Sequence, residues 1–125
     1  MAEGKGCLTG SLTAATTTAG GDALGLANPE GVEIFVTRLV LDITTPATGV
    51  ANVDAGIAAD ATTSADNLID EVDVGSAAAI FDNIDDQGTN GQSILSWGAD
   101  EYLTVTPSAT LAGLVGKYYV EYIRA

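Results

Sequence analysis

A chain of 125 residues is one ordinary domain, with room for a single modest core and not for two. Its 17 acidic residues stand against 4 bases and no histidine, a net charge of −13, so phosphate backbones and anionic lipid surfaces are repelled. Without histidine, and with Cys7 as the single thiol, a Ser–His–Asp or Cys–His set, a zinc cluster and an internal disulfide are excluded.

The apolar share of 46% is largely alanine and the aromatic share is 6%, so the core has little area per residue, and oligomerisation or docking onto a larger body would supplement it. Along the chain, residues 1–31 are low in complexity, with a threonine run at Thr16–Thr18 and few apolar anchors beyond Leu8, Leu12, Leu24 and Leu26. They read as an extended N-terminal arm or an edge strand that orders against something else. Asn28-Pro29-Glu30-Gly31 is a turn, proline fixing φ and glycine freeing it.

Residues 32–125 read as the folded domain. Val32–Thr44 is the clearest strand, rich in β-branched residues. Strict alternation puts Phe35, Thr37, Leu39, Leu41 and Ile43 on one face and Ile34, Val36, Arg38 and Val40 on the other. Both faces are largely apolar, which predicts a central strand covered on both sides. Thr45-Pro46 ends it. Val50–Ala59 alternates as a half-exposed strand, and Asn67–Val74 reads as a turn of helix leading into a strand. The phrase VDxGxAA occurs at Val53 and again at Val72, too short to be a solenoid repeat.

Gly88-Thr89-Asn90-Gly91 predicts a hairpin or long turn. Ser93–Trp97, Glu101–Thr106 and Val115–Ile123 read as further strands, the last alternating Tyr118, Val120 and Tyr122 against Tyr119, Glu121 and Ile123. Short strands between Gly, Pro, Asn and Asp turns add up to an all-β, single-domain antiparallel β-sandwich of jelly-roll type.

No phosphate-cradling glycine loop is present, and nothing in the spacing of the carboxylates selects a catalytic pair. The chemistry therefore points away from an enzyme and requires no cofactor. Asp66, Asp70, Asp73, Asp82, Asp85 and Asp86 offer hard oxygen ligands for calcium; without EF-hand spacing they read as turn residues on a solvated acidic rim. Phe35 and Phe81 are expected in the core. Trp97, Tyr118, Tyr119 and Tyr122 are candidate interface residues, since a terminal strand with tyrosine on both faces exposes at least one of them. No stretch reads as an export signal or a membrane span, so a soluble chain made in the cytoplasm is expected.

From about Gly25 onward, the phrases NPEG, VTRLVLDITTPATG, VDAGIAADATTSADNLIDEVDVG, FDN, GTNG and AGLVGKYYVEYIR resemble a family of small tailed-phage and prophage structural proteins of the head decoration (cement) type. The resemblance implies a virion component on the outer capsid surface, clamping major capsid protein subunits and commonly assembling as a trimer. An acidic chain suits the outside of such a shell better than its DNA-facing side. A flexible arm over residues 1–31 would then reach across a neighbouring subunit, and its deletion would leave the β domain folded. A head fibre or tail subunit, or a secreted carbohydrate- or calcium-binding sandwich, is the alternative.

Overall fold

The computed structural model describes residues 4–124, and among these every regular element is a strand. Two antiparallel sheets pack face to face around one core. The first is built from β1 (Lys5–Ser11), β9 (Val115–Arg124), β3 (Ile34–Thr45) and, along one edge of β3, the two short strands β6 (Ala79–Asp82) and β7 (Leu95–Trp97). The second has the order β2 (Leu24–Ala27), β8 (Tyr102–Pro107), β4 (Asn52–Ala58), β5 (Ile69–Asp73). The all-β sandwich expected from the sequence is the observed architecture. The expected turn of helix before β5 is not formed; the chain there runs as irregular backbone directly into the strand.

Strand β3 departs from simple alternation. Its pairing with β9 slips by one residue between Val36 and Arg38. Ile34 and Val36 are therefore buried before the slip, and Leu39, Leu41 and Ile43 after it. A bulge inserts one unpaired residue and shifts the phase of the side chains. The assignment of Phe35 to the same face as Leu39 is thus corrected: Phe35 points outward and is half-buried. β3 is interior to its sheet, but one face only is covered. Phe81, opposite Leu41, does pack against the core, although it is partly exposed.

The segment expected as an arm or an edge strand contributes one edge strand to each sheet, β1 to the first and β2 to the second. Leu12, Ala15 and Ala23 within it are buried. Its removal would take two strands and part of the core, which corrects the expectation that it can be deleted from a folded remainder. Sizes complement one another across β1 and β9: Gly6 faces Tyr122, Leu8 faces Val120, and Gly10 faces Tyr118. A Cβ on Gly6 would stand 2.2 Å from Tyr122 Cζ, and one on Gly10 2.7 Å from the Tyr118 hydroxyl oxygen. The tyrosine rings thus lie over glycines that offer no side chain of their own.

Three asparagines tie irregular segments to the sheets by taking the place of backbone. The Asn83 side chain, fully buried, accepts from Leu39 N–H at 2.8 Å and donates to Gln92 and Ser93 carbonyls at 3.1 and 3.2 Å. It closes the excursion between β6 and β7, which otherwise would leave Leu39 N–H unpaired beside the core. Asn67 accepts from Ile57 N–H and donates to Ile57 O, continuing the sheet past the end of β5. Asn28 accepts from Glu30 and Gly31 N–H and donates to Val32, Trp97 and Gly98 carbonyls. Each of these asparagines thus carries a tertiary contact that sequence periodicity does not express.

Candidate functional site

The outer faces of the two sheets are finished differently. On the four-stranded sheet, Thr104 and Thr106 point away from the core and are nevertheless buried. Chain segments 13–22 and 59–66 lie over them: Thr104 Oγ1 donates to Thr63 O at 3.0 Å, and Gly21 N–H donates to Thr106 Oγ1 at 3.0 Å. Asp60 caps its own loop, accepting from Thr62 N–H and from the Thr62 and Thr63 hydroxyls, and these bonds hold its carboxyl below the ordinary range. Gly56 is roofed by Asn67. The expectation that β4 is half exposed therefore holds at Asn52 and Asp54, while Ala55–Ala58 is buried throughout. Asp54, partly desolvated with Asp70, Asp66 and Glu71 nearby, has its pKa raised.

The outer face of the five-stranded sheet has no such cover among the described residues. Four rows run across it in register: Lys5–Ile123–Phe35–Ser96, Cys7–Glu121–Arg38, Thr9–Tyr119–Val40–Asp82 and Ser11–Lys117–Asp42–Ile80. Ile80 is 68% exposed, Val115 at the end of β9 55%, and Tyr119 and Ile123 37% each. Three of the four bases of the chain, Lys5, Arg38 and Lys117, stand on this face with four acids, Asp42, Asp82, Glu121 and Glu33, the last accepting from Ser96 Oγ. The remaining thirteen acids of the sequence have Arg124 as their one counterpart. Among the described residues this face is therefore close to charge balance, in a chain of net charge −13.

Of the four aromatic residues expected at an interface, Tyr119 alone lies on the exposed face. Trp97 is fully buried in the core and donates its indole N–H to Glu101 O at 2.9 Å. Tyr118 and Tyr122 are inward residues of β9, 8% and 3% exposed. Their assignment to an interface is corrected because alternation along β9 turns both into the sandwich, where glycines make room for the rings. The Tyr122 hydroxyl donates to Glu30 Oε2 at 2.6 Å, and the Arg124 guanidinium donates to the same oxygen at 3.1 Å. Arg124 first, and then Tyr122, holds the Glu30 carboxyl below its ordinary range, while burial and then Glu30 push Tyr122 up. The cluster pins the Asn28–Gly31 turn to the end of β9.

Five of the six aspartates considered for calcium, all but Asp85, act as turn and loop caps. Asp70 accepts from Thr89 and Asn90 N–H, Asp66 from Asn90 Nδ2, Asp82 from Ile84 and Asp85 N–H, Asp86 from Asp82 N–H, and Asp73 from Gly75 N–H and Ser76 Oγ. Among the described residues no group of three or more His, Cys, Asp or Glu is arranged to hold a metal ion, and no cavity opens. No protein-family model, no curated protein and no solved structure matches the chain.

Sequence reasoning missed Phe35, Val40, Ile80 and Val115 as surface residues. The bulge in β3 hid the first, and the others have the composition of core. One signal was present: Lys5, Arg38 and Lys117 all fall at outward strand positions, in a chain with almost no other bases.

Proposed function

We propose that this protein decorates the assembled head of a tailed phage, docking its uncovered five-stranded face onto major capsid protein subunits and turning its acidic remainder to solvent. The observation that carries the reading is the contrast between the outer faces: one is sealed by the chain's own loops, the other offers exposed apolar side chains among charges close to balance. Interface centres are depleted in uncompensated charge and enriched in aromatic and aliphatic groups, with charged residues towards the rim. A face of that kind on a protein of net charge −13 is where a protein partner meets the least electrostatic resistance.

Two further points support the reading. The sequence resembles head decoration proteins over most of its length. The strand order also agrees with a jelly roll, a fold that recurs in viral capsid proteins. With β6 and β7 counted as one interrupted strand, the chain crosses between sheets as two interleaved Greek keys. The role proposed is one of binding and reinforcement and not of catalysis, since fold alone does not supply an activity.

The test is sedimentation of the purified protein with expanded, DNA-filled heads and with unexpanded proheads of the phage that encodes it. Saturable binding to expanded heads is expected, abolished by Tyr119→Glu on the uncovered face and retained by Ser64→Glu on the loop-covered side. Binding to neither shell would move the protein to a tail, a fibre or out of the virion.

A further inference from the structure

Each sheet ends in two edges, and three of the four edges are blocked by distinct devices. The edge beside β3 is split into β6 and β7 by the excursion through Asn83. On β5, Glu71 takes a φ of 64°, the pairing register slips, and the loop at Thr89–Asn90 bonds to Asp70. β2 is only four residues long, and the backbone of Ala61 covers its face, 3.2 Å from where a Cβ on Gly25 would stand; very short edge strands are themselves poor templates for another strand. Breaks, bulges and covering loops are the ways in which proteins prevent strand addition at an edge.

β1 has none of these. It pairs with β9 over seven residues without a register shift and contains no proline and no acid. The bonds Leu12 N–H to Gly116 O and Arg124 N–H to Gly4 O set the phase of the ladder. Even-numbered residues of β1 bond to β9, so the backbone N–H and C=O groups of Cys7, Thr9 and Ser11 point out of the sheet. Among the described residues no hydrogen bond reaches them.

We propose that β1 is the contact between two copies of this chain, pairing antiparallel with its counterpart about a two-fold axis. Antiparallel pairing of identical edges is self-complementary, each outward N–H meeting an outward carbonyl of the other copy. Charge selects this edge as well. Two copies that each carry −13 repel one another over most of their surfaces, whereas β1 carries one base, Lys5, and no acid. The joined sheets form one continuous sheet, and the two uncovered faces become a single surface. The contact closes at two copies; the trimer implied by the resemblance would require β1 to meet a different edge. The inference does not depend on binding to a shell.

The experiment is sedimentation velocity of the full chain across a concentration series, for wild type and Thr9→Pro, with no shell present. Proline at position 9 removes an outward N–H and leaves the bonds to β9 in place, as at edge positions where proline is tolerated. Wild type is expected to dimerise, and Thr9→Pro to raise the dissociation constant by ~10-fold or more with an unchanged circular dichroism spectrum. As a second readout on unaltered sequence, a nitroxide on Cys7, the single thiol, should report a partner label, the two Cys7 backbones lying within about 20 Å for any register pairing three or more residues. A monomer at all concentrations, a trimer, or a dimer whose labels lie much farther apart overturns the proposal.

Discussion

Thr104 and Thr106 on β8 and Thr9 and Tyr119 on β1 and β9 all point away from the core, yet the first pair is buried and the second exposed. The difference is made by the connections. Segments 13–22 and 59–66 fold back over the four-stranded sheet and bond to it through Thr63 O and Gly21 N–H, and the Asn67 side chain that follows bonds to Ile57. No segment among the described residues returns over the five-stranded sheet. A sheet face left apolar and uncovered is stable in an isolated chain only at a cost in exposed apolar area, and a partner that covers it recovers that area. Outward substitutions on the covered sheet should therefore damage folding, and outward substitutions on the uncovered sheet should damage association.

The largest test of that contrast is Gly56→Val. A Cβ there would stand 2.1 Å from Asn67 Oδ1 and 2.8 Å from Asn67 N, so the roofing loop must lift and its hydrogen bonds break. A loss of about 3 kcal/mol in urea unfolding is expected. The parallel change Ser11→Val on the uncovered side should stay within about 0.5 kcal/mol. Next is Asn83→Ala, which leaves the buried Leu39 N–H without its acceptor and frees the β6–β7 excursion. About 2 kcal/mol should be lost, with faster hydrogen exchange confined to residues 83–94.

A smaller effect is expected from Thr104→Val, which keeps the shape and deletes the hydroxyl that donates to Thr63 O. About 1 kcal/mol should go, and residues 59–66 should become more open to proteolysis. Tyr119→Ser should leave the unfolding midpoint nearly unchanged, within about 0.5 kcal/mol, while weakening whatever association the uncovered face supports. A large loss of stability there would remove the distinction between the two faces.

Acid titration sharpens the comparison further. Glu30, Asp60 and Asp73 have depressed pKa values, through Arg124, through Thr63 and through Ser76 respectively. Their contributions are complete above the ordinary carboxylate pKa of about 4 and disappear as pH falls through the lowered values. Asp54 has the opposite sign: its raised pKa favours folding below the ordinary value, and that contribution is lost as pH rises through the raised one. Asp60→Asn should accordingly flatten the fall of the melting temperature below about pH 4. The replacement Asp54→Asn should raise the melting temperature at neutral pH.

Much of the architecture could be read in the residues. Strands β3, β4, β8 and β9 lie where β-branched and alternating stretches place them, and the tyrosines of β9 alternate as the pattern requires. The N-terminal segment was harder to read because its anchors are glycines. Gly6 and Gly10 earn their places from the rings of Tyr122 and Tyr118, more than a hundred residues away in sequence. The candidate site was the least legible part. Trp97, Tyr118 and Tyr122 drew attention as large aromatic groups, but their very size makes them core in a chain with so few others.

Sequence by itself determined the class of fold and the acidic character, because composition and period-two alternation are local properties of the chain. Tertiary structure alone decided which sheet face is covered, which edge stays open and which aromatic residues are buried. Those outcomes depend on where loops return and where a single inserted residue, as at the bulge in β3, reverses the side chains that follow.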